Sequence, residues 1–125
     1  MTVVLDAGAL IAVEAGDREL IAFLRRERRA GRVPVTHGGV VGQVWRGGPR
    51  QANLARLLPG LDVAPLDEAL GRRAGVLLGA ARRADVIDAA VVLLAHDGDE
   101  IITSDPDDLV ALAHAAGLHL DLIPV

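Results

Sequence analysis

The chain contains no cysteine, no lysine and no tyrosine, and only one Phe and one Trp in 125 residues. Without cysteine there can be no disulfide, no thiolate metal site and no Cys nucleophile, and the absence fits a reducing compartment. Without lysine, a Walker-type nucleotide loop lacks its terminal cation and a phosphoacceptor receiver lacks its strand-end ammonium. A basic segment followed by an apolar core is missing from the N-terminus, and no apolar run approaches bilayer length, so the expectation is a soluble cytoplasmic protein without membrane contact. A net charge of -4 carries no global signature of nucleic-acid binding, yet all 13 basic residues are arginines, whose forks fit phosphate bidentately. What the chain has in quantity is aliphatic: 51% hydrophobic against 2% aromatic, which predicts a core of Ala, Val, Leu and Ile. The length suits one domain, residues 1–125, burying roughly two-thirds of its unfolded surface.

Strand-like and helix-like stretches alternate without a linker or repeat. Val3-Val4-Leu5 is an apolar run that reads as a buried strand, and a short helix follows to about Glu14. Asp17 can cap a second helix to about Ala30, whose end carries Arg25, Arg26, Arg28, Arg29 and Arg32. That run matches the dipole of a helix C-terminus, or it forms a patch that contacts phosphate or a partner. Val33-Pro34-Val35 is predicted as the second strand and Thr36 as the cap of a helix from His37 to Arg46. Gly38, Gly39 and Gly42 would each cost that helix on the order of 1 kcal/mol, so close packing is expected to offset them. Further helices are predicted over Gln51 to Leu58, from Asp67 to about Arg83, from Asp85, and over Pro106 to Ala116. Strands are predicted at Leu61 to Leu66, Ile101 to Thr103 and Leu120 to Val125. Repeated strand, crossover and strand units imply an α/β fold with a mainly parallel central sheet covered on both faces.

Acids stand at the ends of the apolar runs. Asp6 follows the first strand, at the edge where open α/β sheets bind ligands, although Asp is also a preferred N-cap. Asp85 and Asp88, three residues apart, share one face of a helix that is apolar beyond them. Asp85 is explained as a cap. An unpaired Asp88 inside that first turn is costly, and so needs a cation, an arginine or backbone donors opposite it. Asp105 repeats the Asp6 arrangement, with Pro106 in position to start a helix and Asp107 and Asp108 favouring its dipole. Two strand-end carboxylates of a parallel sheet open onto one rim. With no lysine to neutralise them they repel each other unless a hard cation binds, and oxygen ligands of this kind suit Mg²⁺ or Mn²⁺.

Taken in order, Val3-Val4-Leu5-Asp6-Ala7-Gly8-Ala9-Leu10, then Val33-Pro34-Val35-Thr36 leading to Val44-Trp45-Arg46-Gly47, then Asp85-Val86-Ile87-Asp88-Ala89, then Thr103-Ser104-Asp105 resemble the successive motifs of PIN-domain ribonucleases of the VapC toxin kind. The resemblance runs from end to end of the chain. It implies a three-layer α/β/α sandwich, an acidic pocket holding Mg²⁺ or Mn²⁺, endonucleolytic cleavage of RNA, a homodimer, and a small antitoxin protein that blocks the pocket. Asp6, Asp88 and Asp105 match family acids that bind metal and carry catalysis, with Asp85 and Asp107 as neighbouring acids that some members use. Thr36 and Ser104 match polar positions beside the pocket, and Arg46 is the arginine best placed to hold the RNA backbone or to form an internal ion pair.

The chain departs from the family at Gln43, which stands where the second acid, a Glu, is expected. Gln keeps an oxygen ligand and the side-chain length but loses the charge. Glu14 lies about two helical turns beyond Asp6, too far for an easy replacement. The alternative is therefore a degenerate PIN-like module that binds RNA or protein without cutting. A phosphatase of the haloacid-dehalogenase type would need a second Asp two residues after the first, where Gly8 stands. His37, His96, His114 and His119 lack ligand spacing and are expected at the surface or at helix ends, with His37 left open beside Thr36.

Overall fold

Val3, Val4 and Leu5 are fully buried and form β1 (Val3–Leu5), the middle strand of a five-stranded sheet. The computed structural model describes residues 1–125, and no helix in it is long and apolar enough to cross a membrane. After β1 come α1 (Ala7–Glu14), α2 (Arg18–Arg29), β2 (Val35–His37), α3 (Gly38–Val44), α4 (Ala52–Leu57), β3 (Asp62–Ala64), α5 (Glu68–Ala81), α6 (Val86–Leu94), β4 (Glu100–Thr103), α7 (Pro106–Ala116) and β5 (Asp121–Pro124). The strand order is β3-β2-β1-β4-β5 and every pairing is parallel. Helices α1 to α4 pack around α1, while α5, α6 and α7 pack on one another, giving a three-layer α/β/α sandwich. One apolar cluster, including Leu5, Leu10, Leu24, Ile101, Leu109 and Leu112, joins the layers. Each such side chain contributes about 1.5–3 kcal/mol by leaving water.

The chain builds outward from β1 through β2 to β3, then returns to lay β4 on the other side of β1 and β5 beyond it. The connections thus change direction between β1 and β4. In an open parallel sheet, that switch point leaves a crevice outside the carboxyl ends of the two strands. Leu5 stands opposite Ile102 in the ladder, so Asp6 and the segment Thr103 to Asp105 emerge side by side there.

Several predicted boundaries shift. The second strand is Val35–His37 rather than Val33 to Val35, because Val33 is half exposed while Thr36 and His37 are completely buried. Thr36 is therefore a strand residue, donating from Oγ1 to the carbonyl of Leu5 at 2.8 Å, and His37 caps α3 instead. The third strand is confined to Asp62–Ala64 at the sheet edge, and a 3-10 turn at Pro49–Gln51 precedes a shorter α4. Of the three glycines in α3, only Gly39 is required by packing: a Cβ there would lie 2.6 Å from Cδ1 of Ile87, whereas Gly38 and Gly42 face open space.

Candidate functional site

Asp6 is the N-cap of α1, its Oδ1 accepting from the Ala9 amide at 3.2 Å, and it is only 6% exposed. Burial pushes its carboxyl above the ordinary range, opposed by hydrogen bonds from the Thr103 hydroxyl and the amides of Ala9, Gly8 and Ser104. The capping and site readings of Asp6 are therefore not exclusive: the carboxylate keeps its cap bond at the switch point, with the Thr103 hydroxyl and the amides of Gly8 and Ser104 beside it. Its own amide donates to Ile102 O at 3.2 Å, extending the β1–β4 ladder by one residue.

Thr103, completely buried at the end of β4, ties this carboxylate to the next acid. Its hydroxyl stands beside Asp6 and holds that carboxyl down against the effect of burial, and its Oγ1 accepts from the backbone amide of Asp105 at 2.9 Å. Asp105 occupies the cap position of α7 without making a side-chain cap bond, so the expected capping role is not what its carboxylate does. A hydrogen bond with the Asp108 side chain, followed by burial and the charges of Asp108 and Asp107, raises its pKa.

Asp88 projects from the first turn of α6, whose cap Asp85 accepts from the amides of Ile87 at 2.9 Å and Asp88 at 3.1 Å. Half-burial, and then the negative charges of Asp85, Asp6, Asp108 and Asp105, push the Asp88 carboxyl up to about 6. None of these five acids forms an ion pair. The salt bridges lie elsewhere, at Glu27, Glu68, Asp97 and Asp99. Asp88 has no cation or arginine paired with it, and the charges that bear on it are those of four more carboxylates. No three of these side chains are gathered as a ready metal-coordinating group. The donor set is nonetheless hard, anionic and unneutralised, which suits Mg²⁺ or Mn²⁺ in charge and chemistry. Asp85, Asp105 and Asp108 are exposed and unpaired with any base, although Asp85 is engaged as the cap of α6 and Asp105 and Asp108 with each other.

The remaining predicted residues scatter. Ser104 is exposed, and its side chain and amide press on Gly8, where a Cβ would lie 2.7 Å from Ser104 N. The Ser104 amide is backbone and cannot yield cheaply. Gly8→Ala should therefore destabilise the fold by about 1–3 kcal/mol despite the better helix propensity of Ala, read as a lower urea midpoint at unchanged slope. Asp107 is exposed in the first turn of α7 and contributes only its charge at Asp105. Gln43 shares a separate surface hollow of about 720 Å³ with Ile11, Glu14 and Arg46, and makes no hydrogen bond to the acids. Arg46 forms no ion pair: its guanidinium donates to the carbonyls of Gly42 at 3.1 Å and Trp45 at 2.8 Å, closing its own helix.

Three residues that the sequence reading undervalued belong to the site or its support. Thr103 could have been noticed as a hydroxyl at a strand end between two acids. Asp108 stands three residues after Asp105, on the same helix turn, but the helix dipole already explained it. His37, left open among the histidines expected at the surface or at helix ends, stands at a helix end but is buried. Its Nδ1 accepts from the Gly39 amide at 3.1 Å and its Nε2 donates to Ile87 O at 3.0 Å, which anchors the segment carrying Asp88. Desolvation lowers its pKa, outweighing the bond to Ile87, so it stays neutral. No protein-family model matches the chain, and no curated protein matches it.

Proposed function

We propose that this chain is a Mg²⁺- or Mn²⁺-dependent endoribonuclease of the PIN-domain kind, cytoplasmic and homodimeric, acting as the toxin of a pair whose small antitoxin protein occupies the acidic rim. One observation supports this reading: Asp6 and Asp105 follow neighbouring strands at the switch point of a parallel sheet, Asp88 feels the charge of both as well as of Asp85 and Asp108, and none of the five has a basic partner. A purely structural surface would pair or disperse those charges, because an unneutralised cluster destabilises the fold.

What a divalent cation brings to such a rim, when bound, is Lewis acidity toward a phosphodiester and toward water. Asp6, Asp88 and Asp105 would hold it, with Asp85 and Asp108 adding charge. The chain prepares its own part in advance. Asp6 is held by burial and by its cap bond from Ala9, so little orientational freedom remains to be lost on binding. The Thr103 hydroxyl makes Asp6 and the Asp105 backbone one unit, and His37 holds the carbonyl next to Asp88. With a pKa of about 6, Asp88 is a carboxylate that can accept a proton near neutral pH, as a general base must.

The test is cleavage of a structured RNA by the wild type and by Gln43→Glu, with Mn²⁺, Mg²⁺ or EDTA. The expected outcome is metal-dependent endonucleolytic products from the wild type, with the substitution preserving or raising the rate. If both proteins stay inert while still binding the RNA, the non-catalytic module is the correct reading.

A further inference from the structure

The arginine run at the end of α2 plays no part in the acidic rim. Two of its members, Arg25 and Arg28, face Arg56 of α4 across a small cavity of about 100 Å³, whose wall includes Leu24, Leu57 and Asn53. No carboxylate lines the cavity, and the ion pairs of this protein involve none of the three guanidiniums. The three side chains are exposed, so water screens their mutual repulsion, and an anion placed between them would be attracted by all three.

Two of the three arginines are positioned by neutral groups. The Arg28 guanidinium packs against Gly60, where a Cβ would stand 2.6 Å from Cζ, so a larger residue at 60 would push the guanidinium aside. Arg56 donates from Nη1 to Oδ1 of Asn53 at 3.1 Å, and Asn53 in turn donates from Nδ2 to the Glu14 carbonyl at 3.4 Å. This chain of contacts ties Arg56 to the end of α1. Both guanidiniums keep most of their N–H donors unused.

We propose that the cavity between α2 and α4 is a binding site for a phosphate group. A carboxylate offers two oxygens and satisfies one arginine fork, whereas a phosphate offers oxygens to three forks at once. The small volume admits one tetrahedral anion and little more. The site is separate from the acidic rim, since Val13 on its wall lies seven residues along α1 from Asp6, about 10 Å by helical rise. The phosphate is either free, as inorganic phosphate or a mononucleotide, or part of an RNA strand.

Titration calorimetry in EDTA with inorganic phosphate, 5′-AMP and a ten-nucleotide oligouridylate tests this without any catalysis, so its outcome is independent of the nuclease reading. Wild type should bind inorganic phosphate. Arg28→Gln and Arg56→Gln should each weaken binding by at least about tenfold, the usual worth of a charge-assisted hydrogen bond. Gly60→Ala should weaken it while leaving every charge in place, and the exposed, distant Arg73→Gln should leave it unchanged. If the oligonucleotide loses affinity in the same variants, the phosphate comes from RNA. If only phosphate and 5′-AMP do, it is a free anion. The proposal is overturned if phosphate does not bind, if binding ignores all three substitutions, or if a polyglutamate peptide binds where phosphate does not.

Discussion

Asp6→Asn should abolish divalent-cation-dependent RNA cleavage while leaving the protein folded. Loss of a group that merely supports a metal ligand costs about 10–100-fold, so loss of a ligand should cost at least the upper end of that range. Asn is as good an N-cap as Asp, and its Oδ1 can keep the bond from Ala9. Its amide nitrogen, however, faces groups that all donate: the Thr103 hydroxyl and the amides of Gly8 and Ser104. That mismatch is offset by removal of a buried charge, so circular dichroism melts should show a folded variant. A variant that still cleaves at the wild-type rate would remove Asp6 from the chemistry and sink the nuclease reading at its centre.

Asp88→Asn should make the protein more stable at neutral pH. The folded-state pKa of Asp88, about 6, lies above the unfolded value of about 3.9. The folded form therefore binds this proton more tightly, and the associated stability is full below pH 4 and lost as the pH rises through 6. The loss above that window is about 1–3 kcal/mol, allowing for partial solvent screening. Asn removes the charge that burial and the carboxylates of Asp85, Asp6, Asp108 and Asp105 disfavour. Urea unfolding at pH 7.5 and pH 4 should give a gain for the variant at the higher pH and little difference at the lower. His37 acts in the opposite direction: its lowered pKa makes the folded state lose stability as pH falls below about 6.5. That contribution is common to both proteins and cancels in their difference. Mn²⁺ should stabilise the wild type and have little effect on the variant. An equal stability change at both pH values would show that Asp88 does not carry the repulsion.

The order of strands and helices was legible because each buried strand is an uninterrupted aliphatic run and most helices open on an Asp, as at Asp17, Asp67 and Asp85. The second strand was misplaced because Thr36 and His37 look like the end of a buried run. Each is buried through one long-range bond, to Leu5 O and Ile87 O, which no local pattern announces. The acids Asp6, Asp85, Asp88 and Asp105 were legible from their places at strand and helix starts. Their electrostatic coupling was inferable only from a parallel sheet. Thr103 was hidden because the crossover, not the local chain, brings it beside Asp6, and Asp108 because its place in the first turn of α7 already had a dipole explanation. Gln43 and Arg46 were placed by resemblance alone, and both face a different hollow.

The pairing of β1 with β4 has a consequence for when this rim can exist. Val3 aligns with Glu100, and Thr2 donates to Asp99 at 2.8 Å across a sequence separation of 97. Contacts so remote in sequence form slowly and late, since closing the intervening loop must precede any gain from it. On a ribosome, the first strand and its aspartate emerge long before Thr103 is synthesised. A nascent or prematurely terminated chain therefore holds Asp6 without its hydroxyl partner, and whatever chemistry the rim supports begins only once translation has passed the fourth strand.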